Sequence, residues 1–267
     1  MSDEKPTSDD PTDDRPSSDD ASSGDEAFAT TSEVPFRVPK PFVEGRNAPI
    51  LIALALSALV AASFHFALAP AAPKLAAFVA LGLVYTLFAA LTVVRFKKKH
   101  DLALLRPKSG DITIAAAVAG LLYGLAYVGA SVILPHGSAR ESWLVHVYVL
   151  LSDAFRDGRH ILSVGLFLIG GLEELSWRGI VLDAFESRFG RLQASVLSSA
   201  FWAVAHVPTL YRLGDPVAGP NPLLLVAAFG CGMTWCYVRY RTDRLAPSVI
   251  SHAIFSWAIV EFPLWHQ

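Results

Sequence analysis

The sequence predicts an all-α fold: a polytopic membrane bundle of about seven or eight transmembrane helices, preceded by a disordered amino-terminal tail. Hydrophobic residues make up 53% of the chain and charged residues only 17%, with a mean hydropathy of +0.42. This composition is too apolar for a soluble domain of this length. Apolar runs recur along the chain, and about 20 helical residues are enough to cross a bilayer core of about 30 Å.

The amino-terminal tail, residues 1–47, is predicted to form a separate disordered region. Residues 1–26 contain ten of the 24 acidic residues and only two of the 22 basic ones. A segment so polar and charged buries too little apolar surface to offset the entropy lost on ordering. It also lacks the basic stretch followed by an apolar run that marks a secretory signal peptide. Residues 48–267 are therefore predicted to form the transmembrane domain.

Seven apolar segments within this domain are predicted to span the membrane. They are Ala48–Ala69, Leu75–Val94, Asp111–Leu134, Ile161–Phe185, Leu192–Val207, Leu223–Val238 and Leu245–Trp265. An eighth segment, Ser142–Leu151, is apolar but only ten residues long, and its aromatic residues favour an interfacial or re-entrant position. If this segment spans the membrane, the number of helices rises to eight.

The basic residues between the apolar segments predict the orientation of the chain. With seven spans and a cytoplasmic amino terminus, 14 basic residues flank the cytoplasmic ends of the helices and five flank the outer ends. Loops rich in Lys and Arg remain in the cytoplasm. We therefore expect an integral membrane protein with its amino terminus inside the cell. A bacterial inner membrane is the expected location. The basic residues form no continuous stripe, which argues against nucleic-acid binding.

The fourth apolar segment contains the most unusual polar residues of the chain, Glu173, Glu174 and Arg178. Charged groups inside a bilayer cost several kcal/mol each and usually have a function. Glu174 and Arg178 are four residues apart, so they share a helix face and are predicted to pair. Glu173 is rotated by about 100° and is predicted to point elsewhere. Gly170 and Gly171 leave room for a neighbouring helix. An ion pair with a purely structural role is the alternative.

Two later segments also carry polar groups at four-residue spacing. Trp202 and His206 share a face of the fifth span, and His252 and Ser256 share a face of the seventh. Each buried polar group needs a partner inside the bilayer. The three segments are therefore predicted to contribute to one polar site.

The order of these motifs resembles the CAAX-protease and bacteriocin-processing (CPBP) family of intramembrane proteases. The matching motifs are Glu173-Glu174-x-x-x-Arg178, Trp202-x-x-x-His206 and His252-x-x-x-Ser256, and the similarity covers residues 160–257. Two positions depart from the family pattern: Trp202 stands where Phe is usual, and Ser256 where Asn is usual. A serine hydroxyl is shorter than an amide and offers a single donor.

The resemblance implies an endopeptidase site. Glu173 would accept a proton from a water molecule, and His206 would hold and orient that water. His252 and Ser256 would donate hydrogen bonds to the carbonyl oxygen of the substrate. The residues that support these groups would be Glu174, Arg178 and Trp202. The partners would be a membrane-associated protein or peptide substrate and the lipid bilayer.

The resemblance leaves metal dependence open, because family members have been described both as metalloproteases and as glutamate proteases. No cofactor is favoured, since the sequence lacks a His-Glu-x-x-His motif. Zinc is the alternative, with Glu173, His206 and His252 as the three ligands.

Two other functions are compatible with the same residues. A catalytically inactive membrane scaffold or bacteriocin-immunity protein would keep the bundle without the chemistry. A transporter would use the buried ionisable groups to move ions, although Pro208 and Pro247 fall near helix ends and do not break a span. Cys231 and Cys236 are predicted to be small packing residues of a helix.

Overall fold

The structure is a computed structural model that describes residues 47–69, 74–99, 101–154 and 159–264. Residues 1–46 of the predicted acidic tail lie outside this range, so their disorder stays a prediction. Within the described residues, helices are joined by loops, and an isolated backbone bridge joins Asp215 and Gly219. The all-α prediction is confirmed for this part of the chain.

Ten α-helices are present in the described residues. They are α1 (Ala48–Ala67), α2 (Lys74–Lys99), α3 (Asp111–Ile133), α4 (Glu141–Ala154), α5 (Arg159–Ser176), α6 (Leu182–Phe189), α7 (Arg191–Ala205), α8 (Val207–Arg212), α9 (Leu223–Thr242) and α10 (Ala246–Glu261). A short 3₁₀ turn, Leu102–Leu105, follows α2, and a π-helical turn, Trp177–Val181, links α5 directly to α6. The predicted interfacial segment lies in α4, which has 14 residues.

Four of the described helices are long and apolar enough to cross a membrane. They are Ala48–Ala67, Phe78–Lys99, Asp111–Ile133 and Leu223–Thr242. The other predicted spans are also helical, but α7 and α10 have only 15 and 16 residues, and α5 contains the two glutamates. A 15-residue helix is about 23 Å long, shorter than a bilayer core. The count of seven or eight spans therefore stays a prediction.

The outer surface of the long helices is apolar. Along α3, the side chains of Ile112 and Val132 are 68% and 73% exposed, and Leu121, Leu125 and Val128 are exposed between them. Exposed apolar side chains along the whole length of a helix are unfavourable in water and favourable in lipid. This arrangement fits an integral membrane protein.

Helix α5 packs against both α10 and α2, and its amino-terminal part also has an exposed apolar face that includes Ile161, Val164 and Leu168. The contact with α2 is close because Gly179 has no side chain: a Cβ there would lie 2.3 Å from Cγ2 of Thr92. The Thr92 hydroxyl donates a hydrogen bond of 2.8 Å to the Leu175 carbonyl. The glutamate-bearing segment is thereby held between two helices.

Candidate active site

Glu173 and Glu174 lie in the last turn of α5, and both are buried, with exposures of 6% and 0%. The π-helical turn Trp177–Val181 begins three residues later, and all five of its residues are buried. A π-turn holds one extra residue, and such turns often occur at functional sites. The sequence predicts one regular helix, Ile161–Phe185, in this region, because no residue type marks a π-turn.

The predicted pair of Glu174 and Arg178 is present. Arg178 Nη1 lies 2.9 Å from Glu174 Oε1, and both side chains are inaccessible to solvent. The guanidinium carbon of Arg178 also lies over the Trp202 ring, 4.9 Å from its centroid, which is a cation–π distance. A Cβ on Gly232 of α9 would lie 3.0 Å from Arg178 Nη2. The same Cβ would lie 2.9 Å from Cβ of Ser199, so glycine at this position allows α9 to approach α7 and the guanidinium group closely.

His252 of α10 lies between the two carboxylates. Its Nε2 is 3.3 Å from Glu173 Oε2, and its Nδ1 is 3.1 Å from Glu174 Oε1. His252 is therefore a second partner of Glu174 beside Arg178, which the sequence did not predict. The 100° rotation between adjacent helical residues separates the two carboxylates, but the two nitrogens of one imidazole lie on different edges of the ring and reach both.

The close approach of α10 to α5 depends on Gly170. A Cβ on this residue would lie 2.8 Å from Ser256 Oγ and 3.1 Å from the His252 carbonyl oxygen. At Gly171 a Cβ would meet only Val249 Cγ1, at an ordinary 3.6 Å. Both glycines were expected to allow close approach, and only Gly170 is needed for it.

Two tryptophans confine the His252 ring. Trp235 of α9 stacks on it with centroids 3.8 Å apart and an interplanar angle of 19°. Trp202 of α7 contacts it edge-on at 5.5 Å. The Trp235 indole donates a hydrogen bond of 3.2 Å to the Ser251 hydroxyl, which holds the stacked ring in place. Trp235 is not among the predicted site residues, because a tryptophan in an apolar helix usually packs against neighbouring apolar side chains.

His206 lies at the junction where α7 ends and α8 begins. Its Nδ1 contacts the Trp202 carbonyl oxygen at 2.9 Å, and the Thr209 hydroxyl donates to its backbone carbonyl at 2.6 Å. A carbonyl oxygen accepts, so Nδ1 carries the proton and Nε2 is left as an acceptor. The ring also packs against Phe64 of α1, with centroids 5.0 Å apart.

A cavity of about 300 Å³ brings the predicted residues together. Its wall includes all four residues predicted to be catalytic, together with both tryptophans: Glu173, His206, His252, Ser256, Trp202 and Trp235. Glu174 and Arg178 lie behind this wall, in contact with the residues that line it. Most of the remaining lining is apolar, from helices α1, α2, α4, α5, α8, α9 and α10. Such a cavity can hold an apolar or extended ligand beside a few polar groups.

The helices that carry this site match a known protein family. Residues 159–258 match the family described as type II CAAX prenyl endopeptidase Rce1-like. This segment is therefore similar to the Rce1-like CAAX protease family. The match runs from the start of α5 almost to the end of α10, and it includes the Glu-Glu, Trp-His and His-Ser motifs.

A curated relative supports the same family. CAAX prenyl protease 2 from Methanococcus maripaludis is 39% identical to this chain over 103 residues, which cover 35% of this chain and 36% of the relative. The chain thus matches about a third of the length of that protein. No solved structure matches the chain significantly.

The side chains of the Rce1-like segment can be compared with the zinc ligand set that the sequence left as an alternative. Among the described residues, no group of three or more His, Cys, Asp or Glu side chains is arranged to hold a metal ion. Both nitrogens of His252 face carboxylates, and Nδ1 of His206 faces a backbone carbonyl. The three residues expected to bind zinc therefore line one cavity without forming a ligand set in this arrangement.

Proposed function

We propose that the protein is an intramembrane endopeptidase that uses Glu173 to activate water against a peptide bond of a membrane-associated protein or peptide. The observation that carries the proposal is the contact between His252 and Glu173 at the wall of an apolar cavity. A buried carboxylate beside a histidine is a common arrangement for general base catalysis.

The proposed reaction begins with a water molecule held between Glu173 and Nε2 of His206. Glu173 takes a proton from the water molecule, and the water oxygen forms a bond with the carbonyl carbon of the substrate. As Glu173 takes up the proton, the Nε2 N–H of His252 turns from Glu173 to the developing oxyanion, to which Ser256 also donates a hydrogen bond. The carbon–nitrogen bond then breaks, and the proton passes from Glu173 to the leaving amine. Contact with Glu174 keeps the His252 ring in place during these steps.

The substrate is proposed to reach the site within or close to the lipid bilayer. The wall of the cavity is largely apolar, and the helices around it are suited to lipid rather than water. The Methanococcus maripaludis relative is named a CAAX prenyl protease, so a farnesylated peptide with a carboxy-terminal CAAX sequence is the first probe to use.

Replacement of Glu173 by Gln tests the proposed function. The substitution removes the base and keeps the shape of the side chain, so we expect cleavage of the farnesylated peptide to fall by roughly 10² to 10⁴-fold. The assay uses purified protein in lipid vesicles and mass spectrometry of the products. Glu186→Gln, at an ion pair with the half-exposed Arg191, is the matched control and should keep its activity. Undiminished cleavage by the Glu173 variant would overturn the assigned role.

A metal-free mechanism is part of the proposal, and removal of metal ions tests it. We expect cleavage to continue at an unchanged rate after incubation with 1,10-phenanthroline or EDTA, because Glu173 and His206 position the water without a metal ion. A loss of activity that added zinc restores would contradict this mechanism. It would instead favour Glu173, His206 and His252 as zinc ligands.

The proposal also includes the location and orientation of the chain. The protein is placed in a bacterial inner membrane with a cytoplasmic amino terminus, supported by the 14 basic residues at one end of the predicted spans and the five at the other.

A further inference from the structure

Tyr85 of α2 is a buried polar residue that the proposed mechanism does not use. Its side chain has no solvent exposure. The hydroxyl group interacts with the carboxylate of Glu173 and with the indole groups of Trp177 and Trp202. Among the described residues, no hydrogen bond of ordinary geometry reaches this hydroxyl or either indole nitrogen. Three buried polar atoms therefore converge beside Glu173, and buried polar atoms are rarely left unsatisfied.

The position of Tyr85 relative to Glu173 is set by contacts between α2 and the glutamate-bearing segment. The Ser176 hydroxyl donates to the Tyr85 carbonyl oxygen at 3.3 Å. Seven residues further along α2, on the same helix face, the Thr92 hydroxyl donates to the Leu175 carbonyl at 2.8 Å. Arg95 Nη1 donates to the Gly179 carbonyl at 2.8 Å, inside the π-turn. These bonds anchor α2 at three levels, so Tyr85 does not move independently of Glu173.

The Glu173 carboxylate, the Tyr85 hydroxyl and the two indole groups can form hydrogen bonds with one another in one direction only. An indole N–H can only donate, and an ionised carboxylate can only accept. The tyrosine hydroxyl does both, because it has one proton and two lone pairs. Any hydrogen bonds that these groups form with one another must therefore run from the two indoles to the Tyr85 oxygen and from the Tyr85 hydroxyl to Glu173. Donors acting on the hydroxyl oxygen strengthen its own donation.

We propose that Tyr85 is a positioning residue that holds the Glu173 carboxylate toward the cavity, with Trp177 and Trp202 holding the tyrosine hydroxyl in turn. The inference rests on the proposed function of Glu173, and it adds α2, which lies outside the Rce1-like segment, to the machinery of the site. His252 contacts Oε2 of the same carboxylate, so the two neighbours together restrict its rotation.

Steady-state kinetics of Tyr85→Phe give the first test. The substitution keeps the ring and removes the hydroxyl. The free energy of a hydrogen bond to a charged group corresponds to a change in a rate or equilibrium constant of roughly ten- to a hundredfold. We expect kcat for the farnesylated peptide to fall by about that factor while KM stays near the wild-type value. Tyr240→Phe, which removes a hydroxyl from a ring outside the cavity wall, is the matched control and should leave kcat unchanged. Wild-type kcat in Tyr85→Phe would overturn the inference.

Indole resonances give a second test that does not depend on activity. The chain has six tryptophans, so protein labelled with ¹⁵N-tryptophan yields a spectrum that single Trp→Phe variants can assign. In Tyr85→Phe we expect the indole proton signals of Trp177 and Trp202 to move upfield as they lose their acceptor. The chemical shift of the Trp143 indole proton should not change, because that indole donates to the Gly219 carbonyl at 3.0 Å. Unchanged Trp177 and Trp202 signals would contradict the inference.

The two tests separate failure of the inference from failure of the proposed function. If wild-type protein cleaves the peptide and Tyr85→Phe cleaves it equally well, only the role of Tyr85 is wrong. If the wild type cleaves nothing, the proposed function fails and the indole signals still decide whether Tyr85 is the acceptor.

Discussion

At the scale of single residues, the site combines two carboxylates with one imidazole. The Nδ1 atom of His252 and the guanidinium group of Arg178 both contact Oε1 of Glu174, at 3.1 and 2.9 Å. A buried carboxylate that meets two partners is held more firmly than one with a single partner, and it passes this restraint to His252. Glu174 therefore connects the ion pair behind the wall to the imidazole that lines the cavity.

A glycine substitution tests how closely this site is packed. In Gly170→Ala the new methyl group would press on the His252 carbonyl and on Ser256 Oγ, and the backbone carbonyl can move only with α10. Overpacking of this kind costs about 1–3 kcal/mol. We expect a lower Tm and reduced peptide cleavage.

The adjacent glycine provides the matched control for this substitution. Gly171→Ala meets only Val249 at an ordinary distance and gains about 1 kcal/mol of helix propensity. Tm from tryptophan fluorescence should therefore be unchanged or higher. Equal behaviour of the two variants would show that the close contact at Gly170 is unimportant.

At the scale of elements, the π-turn after α5 is held by α2 and by its own continuation into α6. Arg95 of α2 contacts both the Gly179 carbonyl within the turn and the carboxylate of Asp183 in α6. The Arg95 side chain is almost fully buried. Breaking a buried ion pair by removal of one partner is costly, because the remaining charge stays buried.

Substitutions on α6 test this connection. We expect Asp183→Ala to lower the free energy of unfolding by about 3 kcal/mol, since it removes the carboxylate that pairs with Arg95. Glu186→Ala, on the same helix, should cost less than about 1 kcal/mol because its partner Arg191 is 46% exposed. Urea unfolding in detergent micelles measures both values. Similar losses in the two variants would contradict a special role for the Arg95–Asp183 pair.

At the scale of the whole molecule, the distribution of charged and apolar side chains is suited to a membrane. The basic clusters lie at one end of the predicted spans, while large apolar side chains cover the sides of α1, α2 and α3. Lipid solvates such sides, and the basic ends favour the cytoplasm. The orientation predicted from seven spans places the carboxy terminus outside the cell.

Reporter fusions test this orientation directly. Alkaline phosphatase fused after Gln267 should be active, because the enzyme folds only outside the cytoplasm, whereas green fluorescent protein at the same position should not fluoresce. The reverse result would mean an even number of spans, in which case α4 would become a candidate for the eighth.

The sequence by itself determined which residues are the candidates for the site. Glu173, His206 and His252 are conspicuous because polar groups in apolar helices are expensive, and their spacing placed each on a definite helix face. Helix bounds were also largely predictable: α1, α3 and α9 begin at the predicted residues, since apolar runs and the prolines and glycines around them mark the ends.

Only the tertiary structure decided how these residues meet. The contact of His252 with both glutamates, the stacking of Trp235 and the convergence on Tyr85 all join residues far apart in the chain. Such contacts depend on the distance and rotation between helices, and these are set by small features such as the missing side chain at Gly170 and the π-turn. Helical periodicity describes one helix at a time, so it predicts the face on which a residue lies but not the neighbour it meets.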